Sequence, residues 1–338
     1  MDIIGVDLGG TKCAVVLGCH FNKGNNELHD VYNKEIAILD KIVFPTEVQK
    51  GVKYTLDKIY EHIETILKRN GKNTKEIERI GISCGGPLDS KRGIIVSPPN
   101  LFGWDNVHIV ELFEKRYKIK TCLQNDANAC ALAEWKFGVA RGYNNVIFLT
   151  FGTGLGAGLI LDGRLYSGTN DMAGEIGHIR VAENGPVGYG KAGSFEGFCS
   201  GGGIAQLARI KVMEKLQMGE RVSFCNSMEK LDELNAKLVG DAAEAGDKLA
   251  KEIYCISGDY LGRGLSILID LLNPEIIVIG SIFARSEDLM RDKVLEVIDR
   301  ECVSYSKDVC KIVPAGLGDE LGNYAAMAVA VFENEMKR

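Results

Sequence analysis

Two glycine–threonine turns and one carboxylate are the residues of this chain best suited to chemistry. The turns lie in IIGVDLGGTKCAVVLG, residues 3–18, and VIFLTFGTGLGAGLILDG, residues 146–163. In each, an apolar run enters a cluster of Gly and Thr and a second apolar run follows at once. That pattern predicts a β-hairpin with a small-residue turn. It differs from a dinucleotide fingerprint, which needs G-x-G-x-x-G opening a helix. A turn of this composition can be merely structural. It also exposes backbone N–H groups and a hydroxyl without side-chain obstruction, which suits phosphate oxygens. Two copies, each opening a half of the chain, point to a duplicated α/β unit that holds a nucleotide. The carboxylate is Asp126, in QNDANACALAEW, residues 124–135. An Asp directly before an alanine-rich helix is in the first instance a cap for unpaired N–H groups.

The elements that must position these groups read as α/β throughout. VKYTLDKIYEHIETILKRNG has helical spacing and a Gly stop. IERIGISCGGPLD is a strand running into a glycine–proline turn, and VHIVELFEKRYKI is a helix. KTCLQND is then a strand delivering Asn125 and Asp126 at its end. Further helices are expected near 204–217 and 245–272, a buried strand in EIIVIG ending at Gly280, and a last apolar helix over 321–336. The expected division is an N-terminal lobe over 1–123, to which the helix 321–338 returns, and a C-terminal lobe over 124–320.

Bulk properties exclude several classes. The chain has 338 residues, 46% apolar and 25% charged, with a net charge of −6. That is ordinary for a globular protein of about two domains, and it lacks a basic footprint for nucleic acid. No apolar run approaches the roughly 18 residues of a membrane span, and no signal peptide is evident. The 10 cysteines form no CxxC pair; free thiols in a reducing cytoplasm are the expectation.

Taken in order, DLGGTK, GGPLD, SPPNLFGW, NDANACALAEW, FGTGLGAG, GEIGH and FEGFCSGG resemble the ROK proteins (repressors, open reading frames and sugar kinases). The resemblance covers nearly the whole chain. It implies the duplicated actin-like ATPase (ribonuclease H-like) fold, two lobes with sugar and ATP meeting in the cleft. It implies an ATP-dependent sugar kinase, phosphorylating most often O6 of a hexose or N-acyl-hexosamine, cytoplasmic and homodimeric.

By the same resemblance Asp126 is the general base, and it remains a cap as well. An Asp at a helix N-terminus is already ionised at neutral pH, a weak base that suffices because phosphoryl transfer depends mainly on positioning. Asp7, Gly9, Gly10, Thr11 and Lys12 match the first phosphate loop, with Asp7 holding Mg²⁺ through water. Gly152, Thr153, Gly154 and Gly156 match the second, and Gly280 the glycine turn near the adenosine. Asn100, Asn125, Asp126, Glu175, His178 and Glu196 are nominated for the sugar. The Phe102–Gly103–Trp104 stretch is expected to close over the cleft.

Departures from the family are informative. Where many members carry the zinc ligands of CxCGxxGCxE, this chain has Val187, Tyr189 and Ser194. None is a ligand of the kind Zn²⁺ takes in such sites, so no structural zinc is expected. Tyr189 and Phe195 are expected to anchor that loop by packing. GSIFAR replaces a more glycine-rich turn at 280–285. A sugar-sensing regulator is the alternative reading. Such regulators place a helix-turn-helix before the first phosphate loop, and Asp7 lies too near the start to leave room for one. An actin-like assembly or chaperone ATPase would leave GEIGH and Glu196 without a task.

Overall fold

The structure is a computed structural model that describes residues 1–21 and 36–332. The chain divides into two compact units. The first comprises Met1–Asn144, Gly158–Ala173 and Gly316–Arg338; the second comprises Asn145–Ala157 and Gly174–Ala315.

The core of the first unit is a five-stranded sheet in the order β3-β2-β1-β4-β7. Its strands are β1 (Asp2–Leu8), β2 (Lys12–His20), β3 (Ile36–Pro45), β4 (Ile77–Cys84) and β7 (Lys120–Asn125). The first three are antiparallel neighbours, as the hairpin reading of residues 3–18 requires, and β1, β4 and β7 run parallel. Two short strands, β5 (Leu88–Asp89) and β6 (Ile94–Ile95), form a separate antiparallel pair.

One face of the sheet is covered by the helix Val52–Arg69, whose buried residues Leu56, Ile59, Tyr60, Ile63, Ile66 and Leu67 recur at intervals of three and four. The helix Leu321–Val331 packs on β1, β2 and β4. Its approach explains why strands here contain glycine: a Cβ on Gly81 would lie 2.2 Å from the Ala326 carbonyl oxygen. The last part of the helix expected over 321–338, residues 333–338, falls outside the described residues.

The boundary expected at 123/124 falls instead at 144/145. The helix Asp126–Phe137 packs against Leu321–Val331 and β7, so Asp126 belongs to the first unit. The strand pair β9 (Ala157–Leu161) and β10 (Arg164–Leu165) is antiparallel and lies, from Gly158 on, in the same unit.

In the second unit β8 (Val146–Leu149), β13 (Ile276–Ile279) and β14 (Lys311–Pro314) are parallel neighbours. A small hairpin, β11 (Val187–Gly188) with β12 (Lys191–Ala192), precedes the helices of this unit. The first four are Phe195–Phe198, Gly201–Gln217, Ala236–Glu244 and Lys248–Leu272. Asn273, in the left-handed conformation at φ 45°, ends the last of them. Among the described residues no helix is long and apolar enough to cross a membrane.

Candidate active site

Strand register brings together the nominated residues of the first unit. Leu8 pairs with Cys84 and Cys84 pairs with Asn125, so the C-terminal ends of three parallel strands lie level. Asp7, Gly85 and Asp126 therefore lie at or just beyond the C-terminal ends of these strands, where parallel α/β sheets bind ligands. A Cβ on Gly85 would stand 3.9 Å from Asp126 Oδ2, and one on Gly86 would stand 3.0 Å from Asn125 Nδ2.

The capping role given to Asp126 belongs to Asn125. The Asn125 side chain accepts from the backbone N–H of Ala127 at 2.9 Å and of Asn128 at 3.5 Å. Asp126 is the first helical residue, one oxygen accepting the Ala127 N–H at 2.8 Å. Asn at the cap satisfies the same orphan donors as Asp would, and it leaves Asp126 free to project outward. Solvent reaches the Asp126 side chain, yet the surrounding protein pushes its carboxyl above the usual range, the Ala127 N–H pulling the other way. The ordinary low pKa assumed from the helix N-terminus is thus offset by desolvation.

Asp7 is half-buried beside it. Its pKa rises to about 6, first through burial and then through the Asp126 charge, with Lys12 opposing. Folding therefore leaves Asp7 protonated in a window, roughly pH 4–6, where the unfolded chain has lost the proton. Stability from this group is full below that window and falls as pH rises through it, by about 2–3 kcal/mol in all. Asp7→Asn is expected to raise stability at neutral pH and to flatten its pH dependence between about 4 and 6. Urea titrations at pH 5 and pH 7.5 check this, and a variant less stable than wild type at both would contradict it.

The first turn, Gly9 to Thr11, is closed by the Gly9 N–H on the Lys12 carbonyl at 3.2 Å. Thr46 Oγ1 donates to the Gly9 carbonyl at 2.6 Å and pins it. Asn100 packs on this turn, since a Cβ on Gly10 would lie 2.4 Å from the Asn100 carbonyl oxygen. Thr11, Lys12 and Asn100 are exposed. The stretch expected to close as a lid divides: Phe102 is 81% exposed, whereas Trp104 is fully buried in the core. Trp104 is an anchor, its size favouring burial over a mobile role.

The second unit carries its own set of nominated residues. Residues 150–156 form a loop closed by Thr150 N–H on the Gly156 carbonyl at 2.9 Å and Gly156 N–H on Thr150 Oγ1 at 2.8 Å. GEIGH presses directly on it. A Cβ on Gly174 would lie 2.0 Å from the Ala157 carbonyl oxygen, and one on Gly177 2.0 Å from that of Leu155. Glu196 Oε2 accepts the Leu155 N–H at 2.9 Å, so this residue, nominated for the sugar, holds the loop 150–156. Glu175 and His178 are exposed one helical turn apart, the His178 N–H bonded to the Glu175 carbonyl at 3.1 Å.

The loop without cysteines is held by other means. Ser194 is buried and caps the helix Phe195–Phe198, accepting the Gly197 N–H at 3.1 Å. Phe195 is fully buried against Gly264, and Tyr189 is 72% exposed, edge-on to His178 at 6.0 Å. Phe195 packs as expected, while Tyr189 stays largely exposed. Among the described residues there is no group of three or more His, Cys, Asp or Glu that could hold a metal ion.

A cavity of about 780 Å³ lies beside the second loop, within the size of small-molecule sites. Gly152 and Thr153 line it with Gly201 and Gly202, where the helix Gly201–Gln217 begins. Ser200 caps that helix through the Gly203 N–H at 3.0 Å, leaving a helix N-terminus directed at the loop, a favourable place for phosphate. Gly201 N–H donates to the Gly152 carbonyl at 2.8 Å. The far wall is Asn235, Lys237, Asp241 and Glu244, none anticipated from the sequence. Gly280, expected near the adenosine, is buried instead, bonded through its N–H to the Leu149 carbonyl and facing the Phe148 ring. Ile282, Arg285 and Ser286 take the lining positions. Just after Gly280, Ser281 adopts φ 54° and ψ −111°, a conformation suited to glycine. Ser281→Gly should stabilise the protein by about 1 kcal/mol, strain relief exceeding the added unfolded-state entropy. A lowered denaturation midpoint would contradict it.

Comparison with known proteins places the chain. The ROK family profile matches residues 3–332. A glucokinase of Thermotoga maritima is 33% identical over 303 residues, 88% of each chain. The transcriptional repressor Mlc of Escherichia coli is 29% identical over 75% of this chain and 61% of its own. A ROK family glucokinase from Streptomyces griseus, solved with glucose and AMPPNP, superposes with a TM-score of 0.75. It is 26% identical and matches 98% of this chain and 99% of its own. The two-domain α/β architecture is the actin-like ATPase fold. With that fold, and with motifs spanning both units, the chain belongs to the ROK family.

Proposed function

We propose that the protein is an ATP-dependent sugar kinase, transferring the γ-phosphoryl group to a hydroxyl, most often O6, of a hexose or N-acyl-hexosamine. The observation that carries the reading is Asp126 at the level end of three parallel strands, free of the capping task and raised in pKa. The sugar oxygen attacks the γ-phosphorus, forming the new O–P bond as the bond to the bridging oxygen of ADP breaks. Asp126 takes the hydroxyl proton. A base whose pKa has moved toward the working pH is better matched to that transfer. Asn125 offers its amide N–H₂ to the sugar, since its oxygen is committed to the cap. Asn100, Glu175, His178 and Glu196 supply further donors and acceptors.

The nucleotide is assigned to the cavity beside Gly152 and Thr153, with its phosphates at that loop, and the turn at residues 9–12 is proposed as a phosphate loop of the first unit. The crowded carboxylates of Asp7 and Asp126 are hard oxygen donors short of positive charge, which fits Mg²⁺ bound to Asp7 through water. The metal, when bound, would neutralise charge on the phosphates. Without a three-cysteine site, packing of Phe195 and the Ser194 cap would hold the Glu196 loop in place of zinc. Ten free thiols suit a reducing cytoplasm. The exposed apolar residues Ile267, Leu271, Val303 and Tyr305 suit burial in a homodimer, and a monomer by sedimentation would remove that part.

The test is ADP release from Mg-ATP against a panel of hexoses, N-acyl-hexosamines and glucosides. Sugar-dependent release supports the kinase. Silence from folded, nucleotide-binding protein would favour a sugar-sensing regulator.

A further inference from the structure

A second cavity, of about 360 Å³, lies in the first unit, apart from the nucleotide cavity. One wall is the turn and hairpin after β4, from Pro87 to Val96; the other is the loop 169–172. Its position along the chain is informative. Pro87 directly follows Gly86, where an added Cβ would stand 3.0 Å from Asn125 Nδ2, and one on Gly85 would stand 3.9 Å from Asp126 Oδ2. Val96 precedes Asn100 by four residues, and Met172 precedes Glu175 by three. The cavity is thus walled by the segments that lead into the nominated sugar ligands.

It is also built in advance. Asp171 Oδ2 accepts the Ser90 N–H at 2.7 Å, tying the loop to the hairpin across 81 residues of sequence. Asp171 itself is held at φ 61°, an uncommon conformation for a residue with a side chain. The lining is amphipathic. Pro87, Leu88, Val96 and Met172 give an apolar surface, and Thr169 and Asn170 give exposed donors and acceptors. Sugar rings have this same double character, C–H faces with hydroxyl edges. Asp89 and Asp171 outnumber Lys91 among the charged lining residues, which disfavours an anionic group.

We propose that this cavity is a subsite for an uncharged glycosyl extension, so that the preferred acceptor is a glycoside or disaccharide rather than a free hexose. This deepens the kinase reading and rests on the Asp126 site being the sugar site. A bare acetamido group would leave most of the volume empty. The pocket would instead be filled by one more ring, apolar face on Met172 and Val96 and hydroxyls toward Thr169 and Asn170.

The test compares kcat/KM for glucose, N-acetylglucosamine, cellobiose and an uncharged aryl β-glucoside in the wild type and in Met172→Trp, which fills the cavity from a side chain that is 42% exposed. The extended acceptors are expected to exceed glucose by about tenfold or more, and Met172→Trp to reduce that ratio by about tenfold. Asn170→Ala, an exposed position, should reduce it about threefold without risk to the fold. Preference for glucose or N-acetylglucosamine, or a ratio unmoved by both variants, would overturn the subsite while leaving the kinase standing. Calorimetric binding of the same sugars separates the two readings. Tighter binding of cellobiose than glucose, lost in Met172→Trp, supports the subsite even if no sugar is phosphorylated.

Discussion

Asp126→Ala is expected to lower sugar-dependent ADP release by about 10²–10⁴-fold, the range for loss of a positioned general base, while nucleotide binding persists. The structure makes this a clean substitution. The helix Asp126–Phe137 keeps its cap, because the Asn125 side chain accepts the Ala127 and Asn128 N–H groups, and Asp126 only adds a second acceptor for the Ala127 N–H. The nucleotide cavity is lined by residues of the second unit, none of them Asp126. Asp126 is exposed to solvent, and its substitution removes one of two acceptors of the Ala127 N–H, so the variant should stay close to wild type in stability. Loss of turnover in a fully folded, ATP-binding protein would be chemical. The raised pKa adds a second signature: the acid limb of kcat/KM should lie above the range of an ordinary Asp. Turnover near the wild-type value, measured with saturating sugar and Mg-ATP, would remove Asp126 from the reaction.

The largest stability effect is expected at Glu134, in the same helix. This carboxylate is fully buried. It accepts the Val139 N–H at 3.0 Å and the Leu317 N–H at 2.9 Å, and Gly316 N–H adds a third bond. There is no room to spare, for a Cβ on Gly138 would fall 1.9 Å from Glu134 Oε2. Residues 316 and 317 begin the segment that returns to the first unit and continues into Leu321–Val331. That helix packs on β1 and β4, and a Cβ on its Gly322 would lie 2.7 Å from Asp7 Oδ2. Glu134→Ala strands several buried N–H groups, each costing about 1–3 kcal/mol. The buried carboxylate, itself raised in pKa by desolvation, returns part of that. A net loss of about 3 kcal/mol in urea unfolding is expected, and about half of it for Glu134→Gln, which keeps one acceptor oxygen. A change under about 1 kcal/mol for Glu134→Ala would contradict the clamp.

Which parts were legible in the sequence follows from the range of the interactions. The first hairpin, the helix Val52–Arg69 and the strand Ile276–Ile279 are written in local periodicity and turn chemistry, and the structure has them. Asp126 and Asn125 stand together in the sequence, but which of them caps the helix is decided by side-chain direction, which spacing does not encode. Trp104 and Phe102 read alike as aromatics beside a glycine; only packing of the core separates the buried one from the exposed one. Glu134 sits in the same quoted stretch as Asp126, an acid two turns along an alanine-rich helix. That isolation was a usable signal, although its partners lie near residue 316. Asn235, Lys237, Asp241 and Glu244 carry no motif at all. They reach the cavity beside Gly152 and Thr153 only through the packing of their helix, a long-range fact. Gly280 was placed by resemblance, and the cavity lining after that turn comes from Ile282, Arg285 and Ser286, a matter of packing that the resemblance does not specify.

The most direct test of the central claim is phosphorus NMR of the products formed from Mg-ATP and an accepted sugar, run with wild type and with Asp126→Ala. A sugar phosphomonoester appearing in step with ADP, and absent with Asp126→Ala, is the predicted result. Inorganic phosphate with no phosphosugar, or phosphosugar at the wild-type rate from Asp126→Ala, would contradict the account.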